Sequence, residues 1–332
     1  MKFISNLKKI AVVLFLSLGA IACENDDDEV VVETNTIADF VSKNADYSSL
    51  NAALEAANLK IVLDESTKYT VFAPNNAAFN TFLAANGFTN LGEVPVDVLT
   101  QILLNHVQGG IIKAADLSTG YIPSLATGGA SDEKLSMYIN TEDGVRINGV
   151  SSVTTADIEV DNGVIHAVNA VIGLPDITTF ALADSNFGIL VSALTADDSF
   201  NFVSILQTQS SPAPFTVFAP TNQAFTDFLN EKDFISLAAI PVDVLESVLS
   251  YHVVTGANVR SDVITDGMMV TTFEGGEFTI NTGTGVTITD ENDRESTVIA
   301  TDVPVSYIHM TLLMIGDVLI CVGALPLNKR TE

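Results

Sequence analysis

The four histidines are the side chains of this sequence best suited to bind a metal ion or to transfer a proton. They are His106, His166, His252 and His309, which fall at equivalent places, two in each half of the chain. A zinc site combines imidazole with thiolate or carboxylate ligands at short, regular spacing. Neither kind of ligand has that spacing here, so we interpret the histidines as hydrogen-bonded residues in or near a core and predict no metal site.

Other groups that could support catalysis are equally isolated. The chain contains no G-x-S-x-G nucleophile motif and no H-E-x-x-H zinc motif. Cys321 is embedded in apolar residues, which suits a small core side chain better than a nucleophile. We therefore predict that the protein is not an enzyme and that it needs no cofactor.

One acidic segment carries oxygen ligands of the kind that Ca²⁺ prefers. It reads Asp290-Glu291-Asn292-Asp293, with Glu295 close behind. The segment lacks the regular ligand spacing of a calcium loop. We interpret it as the solvated tip of a hairpin, and weak Ca²⁺ binding stays open.

The net charge excludes one large class of partner. The chain has 14 basic and 41 acidic residues, a formal net charge of −27, and a surface this acidic repels the phosphate backbone of nucleic acids. Of its 332 residues, 47% are apolar, which is enough to build a packed core. This length is long for one core and fits two domains.

Residues 1–22 have the parts of a secretory signal peptide. Three lysines give a positive start, and 10–22 form an apolar run that is too short for an ordinary membrane-spanning helix. Cys23 follows a group of small residues, and the arrangement resembles a bacterial lipobox. The resemblance implies cleavage before Cys23 and acylation of this cysteine. The alternative is an ordinary secreted protein with an incidental cysteine.

Residues 23–35 contain an acidic block that reads Glu24-Asn25-Asp26-Asp27-Asp28-Glu29. Like charges repel one another, so the block is expected to stay extended as a tether. It resembles the acidic export signal that follows the lipid-bearing cysteine in Bacteroidetes surface lipoproteins. The resemblance implies a lipid anchor in the outer membrane, with the chain at the cell surface. A plain charged linker and a periplasmic location are the alternatives.

The remainder of the chain repeats itself once. Residues 69–83 read YTVFAPNNAAFNTFL, and residues 215–229 read FTVFAPTNQAFTDFL. A period this long indicates a duplicated domain rather than a solenoid repeat. We therefore predict a first domain at 36–175 and a second domain at 176–332.

Each copy is predicted to begin with helices and to end with strands. Apolar residues recur at helical spacing near the start of each copy, and Asn or Pro precedes the later helices. The last third alternates short β-rich runs with Asp-Gly and Asn-Gly turns. Helices followed by antiparallel strands predict an α+β fold. The predicted helices are 36–57, 77–86, 96–105 and 178–206, and the predicted strands are 69–73, 135–140, 145–147, 164–172, 277–281, 286–289 and 297–303.

Both copies resemble the fasciclin (FAS1) domain family. The resemblance rests on TVFAP-x-N-x-AF at 70–79 and 216–225, on a leucine-rich helix ending in His106 or His252, and on Asn-Gly-x-Ile-His at 162–166. It implies two tandem FAS1-like domains, each a β-sandwich-like wedge with a helical cluster on one side. Family members are mostly extracellular adhesion or matrix-interaction modules, and the fold brings no catalytic activity with it.

The resemblance also suggests residues that contact a partner. Tyr251-His252 matches a Tyr-His element implicated in integrin contact by animal members of the family. Asp157-Ile158 matches the Asp-Ile of another integrin-associated motif. A bacterial chain need not meet integrins, so a structural role is the favoured interpretation. These four residues are the candidates for partner binding.

The second copy departs from the family pattern at its end, which makes its C-terminus atypical. Residues 305–320 read VSYIHMTLLMIGDVLI, without the Asn-Gly turn. Within them, Asp317-Val318-Leu319-Ile320 is predicted to stand in for Asn169-Ala170-Val171-Ile172. A natural variant and a frame error both remain open as explanations. A membrane helix is disfavoured because Asp317 lies within the apolar run.

These observations predict a surface-anchored, non-catalytic adhesion or matrix-interaction protein. Acylated Cys23 would attach it to the membrane, and its partner would be an extracellular protein or glycan. The alternative is a periplasmic or surface accessory protein that captures a glycan or a small molecule. Capture would need a concave, aromatic-lined pocket, and the absence of Trp weighs against carbohydrate stacking.

Overall fold

The computed structural model describes residues 34–128, 133–207, 213–305 and 310–316, with the backbone alone at 310–314. Every described helix and strand belongs to one compact unit that begins at Asn35. The predicted signal peptide, Cys23, the acidic block and Cys321 lie outside the described residues.

The first copy begins with helices and ends with strands, as predicted. Its α-helices are α1 (Ile37–Lys43), α2 (Ser48–Ala56), α3 (Asn76–Ala85) and α4 (Val96–Leu104). Short 3-10 helices lie at Ala45–Tyr47, Val62–Asp64, Leu91–Glu93 and Ala114–Asp116. Its strands are β1 (Tyr69–Pro74), β2 (Val107–Gly109), β3 (Gly120–Thr127), β4 (Lys134–Asn140), β5 (Arg146–Ile147), β6 (Ser151–Val160) and β7 (Gly163–Val168).

The second copy repeats this order of elements. Its α-helices are α5 (Ile177–Ala183), α6 (Gly188–Leu194), α7 (Phe202–Leu206), α8 (Asn222–Glu231) and α9 (Val242–Tyr251). Short 3-10 helices lie at Ser185–Phe187 and Leu237–Ala239. Its strands are β8 (Phe215–Pro220), β9 (Val253–Thr255), β10 (Met268–Thr271), β11 (Glu277–Thr282), β12 (Val286–Thr289), β13 (Glu295–Val305) and β14 (Met310–Ile315).

Local hydrogen bonds break the helix that was predicted at 36–57. α1 begins after the N-cap Thr36 and ends at Asn44, where the backbone is extended. The Asn44 side chain accepts a hydrogen bond from the amide of Asp46 (3.1 Å) and so starts a 3-10 helix. Asp184 makes the same break after α5. The helical pattern of apolar residues therefore covers two short helices in the first copy, α1 and α2. In the second copy it covers α5 and α6 and also a third short helix, α7.

Each copy forms one seven-stranded sheet. The strand orders are β2-β1-β7-β6-β5-β4-β3 and β9-β8-β14-β13-β12-β11-β10. All neighbours pair antiparallel except β1 with β7 and β8 with β14, which are parallel. The register of β6 against β7 shifts on both sides of Thr155. Such bulges bend a strand.

Alternate residues of the central strands face two different cores, because successive side chains of a strand point to opposite faces. Val71 and Ala73 of β1 pack against the helices, whereas Phe72 packs with Val168 on the other side. Phe218 of β8 corresponds to Phe72 and packs in the second core of the second copy, on the face away from the helices. The TVFAP strand is therefore buried on both faces, which explains its nearly continuous apolar sequence.

Asn162 and Gly163 do not both lie in the turn between β6 and β7, as the Asn-Gly pattern predicted. Val160 pairs with Gly163, so the two turn residues are Asp161 and Asn162. Gly163 begins β7 without a left-handed backbone. A Cβ at this position would lie 2.1 Å from the carbonyl oxygen of Tyr69. The glycine is needed for the close approach of β7 to β1.

The parallel pairs β1–β7 and β8–β14 show which residue of the second copy corresponds to His166. Phe72 lies opposite His166 in the first copy, and Phe218 lies opposite Leu313 in the second. Leu313 therefore stands at the position of His166, and the expectation that His309 does so is wrong. His309 lies outside the described residues. β14 nevertheless pairs with β8 as β7 pairs with β1, although the Asn-Gly turn is missing.

Aromatic and charged side chains join the two copies in a contact that we call the domain interface. Phe180 is fully buried and meets Tyr121 edge to face, with ring centroids 5.2 Å apart. The Tyr121 hydroxyl donates a hydrogen bond to Asp184 (3.2 Å). Burial, followed by the charge of Asp184, raises the pKa of Tyr121. An ion pair between Arg260 and Glu133 (2.7 Å) also spans the interface.

Within the described residues, no single helix has both the length and the hydrophobicity to cross a membrane. The bent pair Ile177–Ala183 and Ser185–Leu194 meets the criteria of length and composition only, with a bend of 98°. Both helices contribute buried side chains, such as Phe180 and Phe187, to the core of the second copy.

Candidate functional site

His106 is a buried structural residue directly after α4. Its Nδ1 lies 2.7 Å from the carbonyl oxygen of Ile102, and its Nε2 accepts a hydrogen bond from the amide of Ile172 (2.8 Å). This pattern places the proton on Nδ1 of a neutral ring. Burial lowers the pKa of His106 to about 4. Both ring nitrogens are therefore engaged by the backbone.

His166 is equally engaged, with the opposite tautomer. Its Nδ1 accepts a hydrogen bond from the amide of Asp157 (3.2 Å), and its Nε2 lies 3.0 Å from the carbonyl oxygen of Ile112. The proton belongs on Nε2, because the carbonyl oxygen can only accept. His166 thus ties a strand bulge to the loop after β2.

His252 differs from His106 in one contact. Its Nδ1 lies 2.7 Å from the carbonyl oxygen of Val248, as the helical position requires. Its Nε2 is buried and has no hydrogen-bond partner among the described residues. Burial, more than any other cause, lowers the pKa of His252 to about 4. This nitrogen is an unsatisfied acceptor inside the second copy.

The two buried histidines make the stability of the protein depend on pH. Their folded pKa of about 4 lies below the ordinary value of 6.5, so the unfolded chain takes up protons first as the pH falls. The stabilisation is complete above pH 6.5 and is lost between pH 6.5 and 4. We expect a loss of about 2 to 3 kcal/mol per histidine by pH 4.5.

Urea unfolding of wild type and His106→Gln at pH 7 and pH 4.5 checks this expectation. Carboxylates also titrate in this range, but they are common to both chains, so the difference isolates the imidazole. The variant should lose less stability between the two pH values. An equal loss in both chains would contradict the account.

Tyr251 is buried beside His252 and does not reach the surface. Its hydroxyl donates a hydrogen bond to the carbonyl oxygen of Glu277, and its ring packs against Phe278 at a centroid distance of 6.1 Å. Tyr251 is fully buried and His252 is 2% exposed. Neither side chain is exposed on the outer surface, where an adhesion partner would dock, and a role of this pair in partner binding stays a prediction.

The acidic segment at 290–295 uses its first carboxylate internally. Glu291, Asn292 and Asp293 are exposed, as predicted for a solvated hairpin tip, whereas Asp290 is buried. One oxygen accepts hydrogen bonds from the amides of Asn292 (2.8 Å) and Arg294 (3.1 Å), and the other pairs with the Arg294 guanidinium (2.6 Å). Among the described residues, no group of three His, Cys, Asp or Glu side chains is placed to hold a metal ion.

Asp157 and Ile158 form part of an exposed surface of the first copy. Asp157 has a left-handed backbone (φ 58°) in the bulge of β6, and its carboxylate accepts a hydrogen bond from the amide of Ala114 (2.8 Å). Ile158 is half-buried and packs against the core. We call the surface made by 111–116 and 154–159 the bulge face.

The bulge face presents apolar and charged groups together. Ile111 is 51% exposed, and Thr155 and Ala156 are exposed in the bulge. Lys113 and Glu159 form an ion pair (2.6 Å) across it. Hydrogen bonds join the two segments of the face, from the amide of Ala114 to Asp157 and between His166 and the carbonyl oxygen of Ile112.

The corresponding surface of the second copy is turned toward the first. Asp302 has the same left-handed backbone (φ 54°) and accepts a hydrogen bond from the amide of Ser261 (2.9 Å). Its neighbour Arg260 pairs with Glu133 of the first copy. Residues 300–304 line a cleft of about 500 Å³ whose other side is formed by the first copy. Of these two surfaces, the first copy's is the more exposed one.

Comparison with protein families now identifies the fold. The model of the fasciclin domain matches residues 45–175 and 185–320. The chain belongs to the fasciclin domain family. The FAS1 domain pair of the insect cell adhesion molecule fasciclin I has the same fold, with a TM-score of 0.51, 18% identity, and coverage of 83% of this chain and 98% of that one.

Several curated proteins share the fasciclin domain. Protein sll1483 of Synechocystis is 37% identical over 138 residues, which are 41% of this chain and 72% of that protein. Periostin of Homo sapiens is 29% identical over 218 residues, which are 60% of this chain and 23% of that protein. Transforming growth factor-beta-induced protein ig-h3 of Sus scrofa is 28% identical over 203 residues, 60% of this chain and 28% of that protein. The chain thus spans about a quarter of the two animal proteins.

The second fasciclin domain contains a concave site that the sequence did not reveal. We call it the apolar groove, a cavity of about 350 Å³ between α5, α6, α7 and β8, with His252 at one side. Its apolar lining includes Ile177, Ala181, Leu190, Leu194, Leu206 and Val217. The departure of the second copy from the family pattern after residue 305 was the one available signal.

Proposed function

We propose that this fasciclin-domain chain is a surface-anchored adhesion protein whose first domain binds an extracellular protein or glycan through the bulge face. The observation that supports this most directly is the asymmetry of the two domains. The bulge face of the first is exposed, whereas its counterpart in the second is partly covered, because Arg260 and residues 300–304 lie against the first domain.

The absence of catalysis is part of the proposal. His106 and His166 have both ring nitrogens engaged by the backbone. A general base must instead reach a proton of the substrate. These two histidines therefore support the fold, and the contacts of the domain interface hold the two domains together.

The charge of the chain favours one kind of partner. Asp116, Asp157 and Glu159 lie on the bulge face with a single lysine, Lys113, which is already paired. Complementary potential steers association. A basic patch on an extracellular protein fits this face better than an acidic glycan does.

A second candidate function is the capture of a small apolar molecule at the surface or in the periplasm. The observation that favours it is the apolar groove, whose volume lies at the lower end of the range for ligand sites. Its lining is aliphatic with one imidazole, which disfavours a glycan as its occupant.

An adhesion assay with displayed variants tests the first proposal. The double variant Ile111→Asp and Ala156→Arg disturbs the bulge face without altering the Asp157–Ala114 hydrogen bond. Ile235→Asp is a matched control, since Ile235 is 95% exposed on the second domain. Cells displaying each chain are tested on immobilised extracellular proteins and glycans.

We expect the double variant to lose at least about tenfold of its binding, because central contacts dominate interface energies, and the control to bind like wild type. Equal adhesion of all three chains would contradict binding at the bulge face. Loss in the control alone would place binding on the second domain.

A further inference from the structure

The starting observation is a buried acceptor without a donor. His252 Nε2 borders the apolar groove and has no hydrogen-bond partner among the described residues, although His252 is only 2% exposed. Burying a polar atom without a partner costs free energy. A group that enters the groove and brings an N–H or O–H donor would remove this cost.

The first domain shows how the same position is satisfied. The amide of Ile172 donates to His106 Nε2 (2.8 Å) from the segment that follows β7. One residue earlier, Val171 joins the core that contains Ile37 and Val41. In the first domain, the segment after β7 thus supplies both the hydrogen-bond donor and an apolar side chain that packs in the core.

The groove is the same place in the second domain. Ile37 follows the N-cap Thr36, and Ile177 follows the N-cap Asp176, so α1 and α5 correspond residue by residue. Ala181 then stands where Val41 stands. The smaller side chain widens the site, and among the described residues of the second domain nothing corresponds to Val171.

The strand register shows how many residues after the end of β14 are needed to reach the groove. Pro74 pairs with Val168, and Pro220 pairs with Ile315, so both strands end at the same level. Four residues lead from Val168 to Ile172. Four residues after Ile315 lead to Leu319, within the apolar run Val318-Leu319-Ile320. By this count Leu319 corresponds to Ile172, one residue before the Ile320 that the sequence pattern predicted.

We propose that the C-terminal segment 317–321 binds in the apolar groove, with the amide of Leu319 donating to His252 Nε2 and Val318 in the place of Val171. The first domain has a further anchor, because Asn105 Nδ2 donates to the carbonyl oxygen of Gly173 (2.9 Å). Tyr251 replaces that asparagine. In the second domain, binding of the segment therefore depends on apolar contacts and on the hydrogen bond to His252.

This occupant bears on the second candidate function, the capture of a small apolar molecule in the second domain. A groove filled by the chain itself is part of the core and is closed to ligands. The proposal does not depend on adhesion by the first domain, so either can fail without the other.

Hydrogen–deuterium exchange of the full mature chain, read by mass spectrometry, tests the binding of the segment. Amides in 317–322 should exchange at least about a hundredfold more slowly than those in 327–332, since a docked backbone exchanges through opening. His252→Phe should speed exchange of 317–322 at least tenfold. The control His106→Phe should leave 317–322 unchanged and affect 169–175 instead.

Two results of the exchange experiment would overturn the proposal. One is exchange of 317–322 as fast as that of 327–332, and the other is protection that does not respond to His252→Phe, which would place the segment elsewhere.

A complementary measurement uses Nile red as an apolar probe. A chain ending at Gly316 should bind it at least fivefold better than one ending at Pro326. Equal binding by both would contradict the proposal, because the segment would then not occupy the groove. An apolar molecule carried by the purified full chain in native mass spectrometry would also contradict it, because a ligand would then fill the groove instead.

Discussion

Replacing Asn162 by alanine is expected to lower the free energy of unfolding of the first domain by about 3 to 5 kcal/mol, because two buried backbone groups and one partly buried group lose their partner at once. The Asn162 side chain accepts a hydrogen bond from the amide of Ile37 (2.8 Å). It also donates to the carbonyl oxygens of Leu63 (2.7 Å) and Glu65 (2.8 Å). One side chain therefore joins the β6–β7 turn to α1 and to the loop before β1.

Urea unfolding monitored for each domain measures this effect. Asn140→Ala is the matched control, since the Asn140 side chain makes one exposed hydrogen bond, to the amide of Glu142 (2.9 Å). The control should cost less than about 1 kcal/mol. If the two variants are equally stable, the Asn-Gly motif does not have the structural role assigned to it here.

Phe180→Ala is expected to destabilise the second domain by about 3 to 5 kcal/mol, as is usual when a buried phenylalanine is removed from a core. Phe180 is fully buried, belongs to the core of the second domain and meets Tyr121 of the first. Its loss removes the aromatic contact of the domain interface. Calorimetry should then show the two domains unfolding in separate transitions, with the second domain first.

Phe40→Ala is the control for Phe180→Ala, because Phe40 holds the same position in α1. Phe40 is only half-buried, and its ring meets Tyr47 of its own domain at a centroid distance of 5.4 Å. The control should cost less and should leave the coupling of the domains unchanged. Equal effects of the two substitutions would mean that the domain interface does not depend on Phe180.

Helices and strands could be predicted from the sequence where a single local signal is strong, such as a capping residue or a continuous apolar strand. The strand predicted at 69–73 is β1 at Tyr69–Pro74, and β12 lies at Val286–Thr289 as predicted. The Asn75 side chain caps α3 by accepting from the amide of Ala78, in agreement with the prediction that an asparagine precedes a later helix of the copy. Burial on both faces and capping leave a direct trace in residue types.

Other parts of the fold depend on contacts between distant residues and leave no local trace. β6 was missed because the middle of Ser151–Val160 is exposed at its bulge and has no clean alternation. Phe40 and Phe180 are the same residue type at the same position, and only the neighbouring domain makes one of them fully buried. Sequence alone gives no sign of that difference.

The candidate site was predicted in part, for the same reason. Asp157 and Ile158 do lie on a surface that a partner can reach, and their role in binding stays a prediction. Tyr251 and His252 follow the family motif but are buried, because the end of α9 packs beneath β11. A motif indicates where residues lie along the chain, whereas exposure depends on what packs over them.

Surface protease shaving combined with cell fractionation, on wild type and Cys23→Ala, tests the central claim of surface anchoring most directly. Both chains are expressed in a bacterial host that exports lipoproteins. The account predicts that wild type is found with the membrane and is cleaved by protease added to intact cells, whereas Cys23→Ala is released in soluble form. A soluble wild-type chain, or one protected from protease until the cells are opened, would contradict surface adhesion and favour the periplasmic binding role.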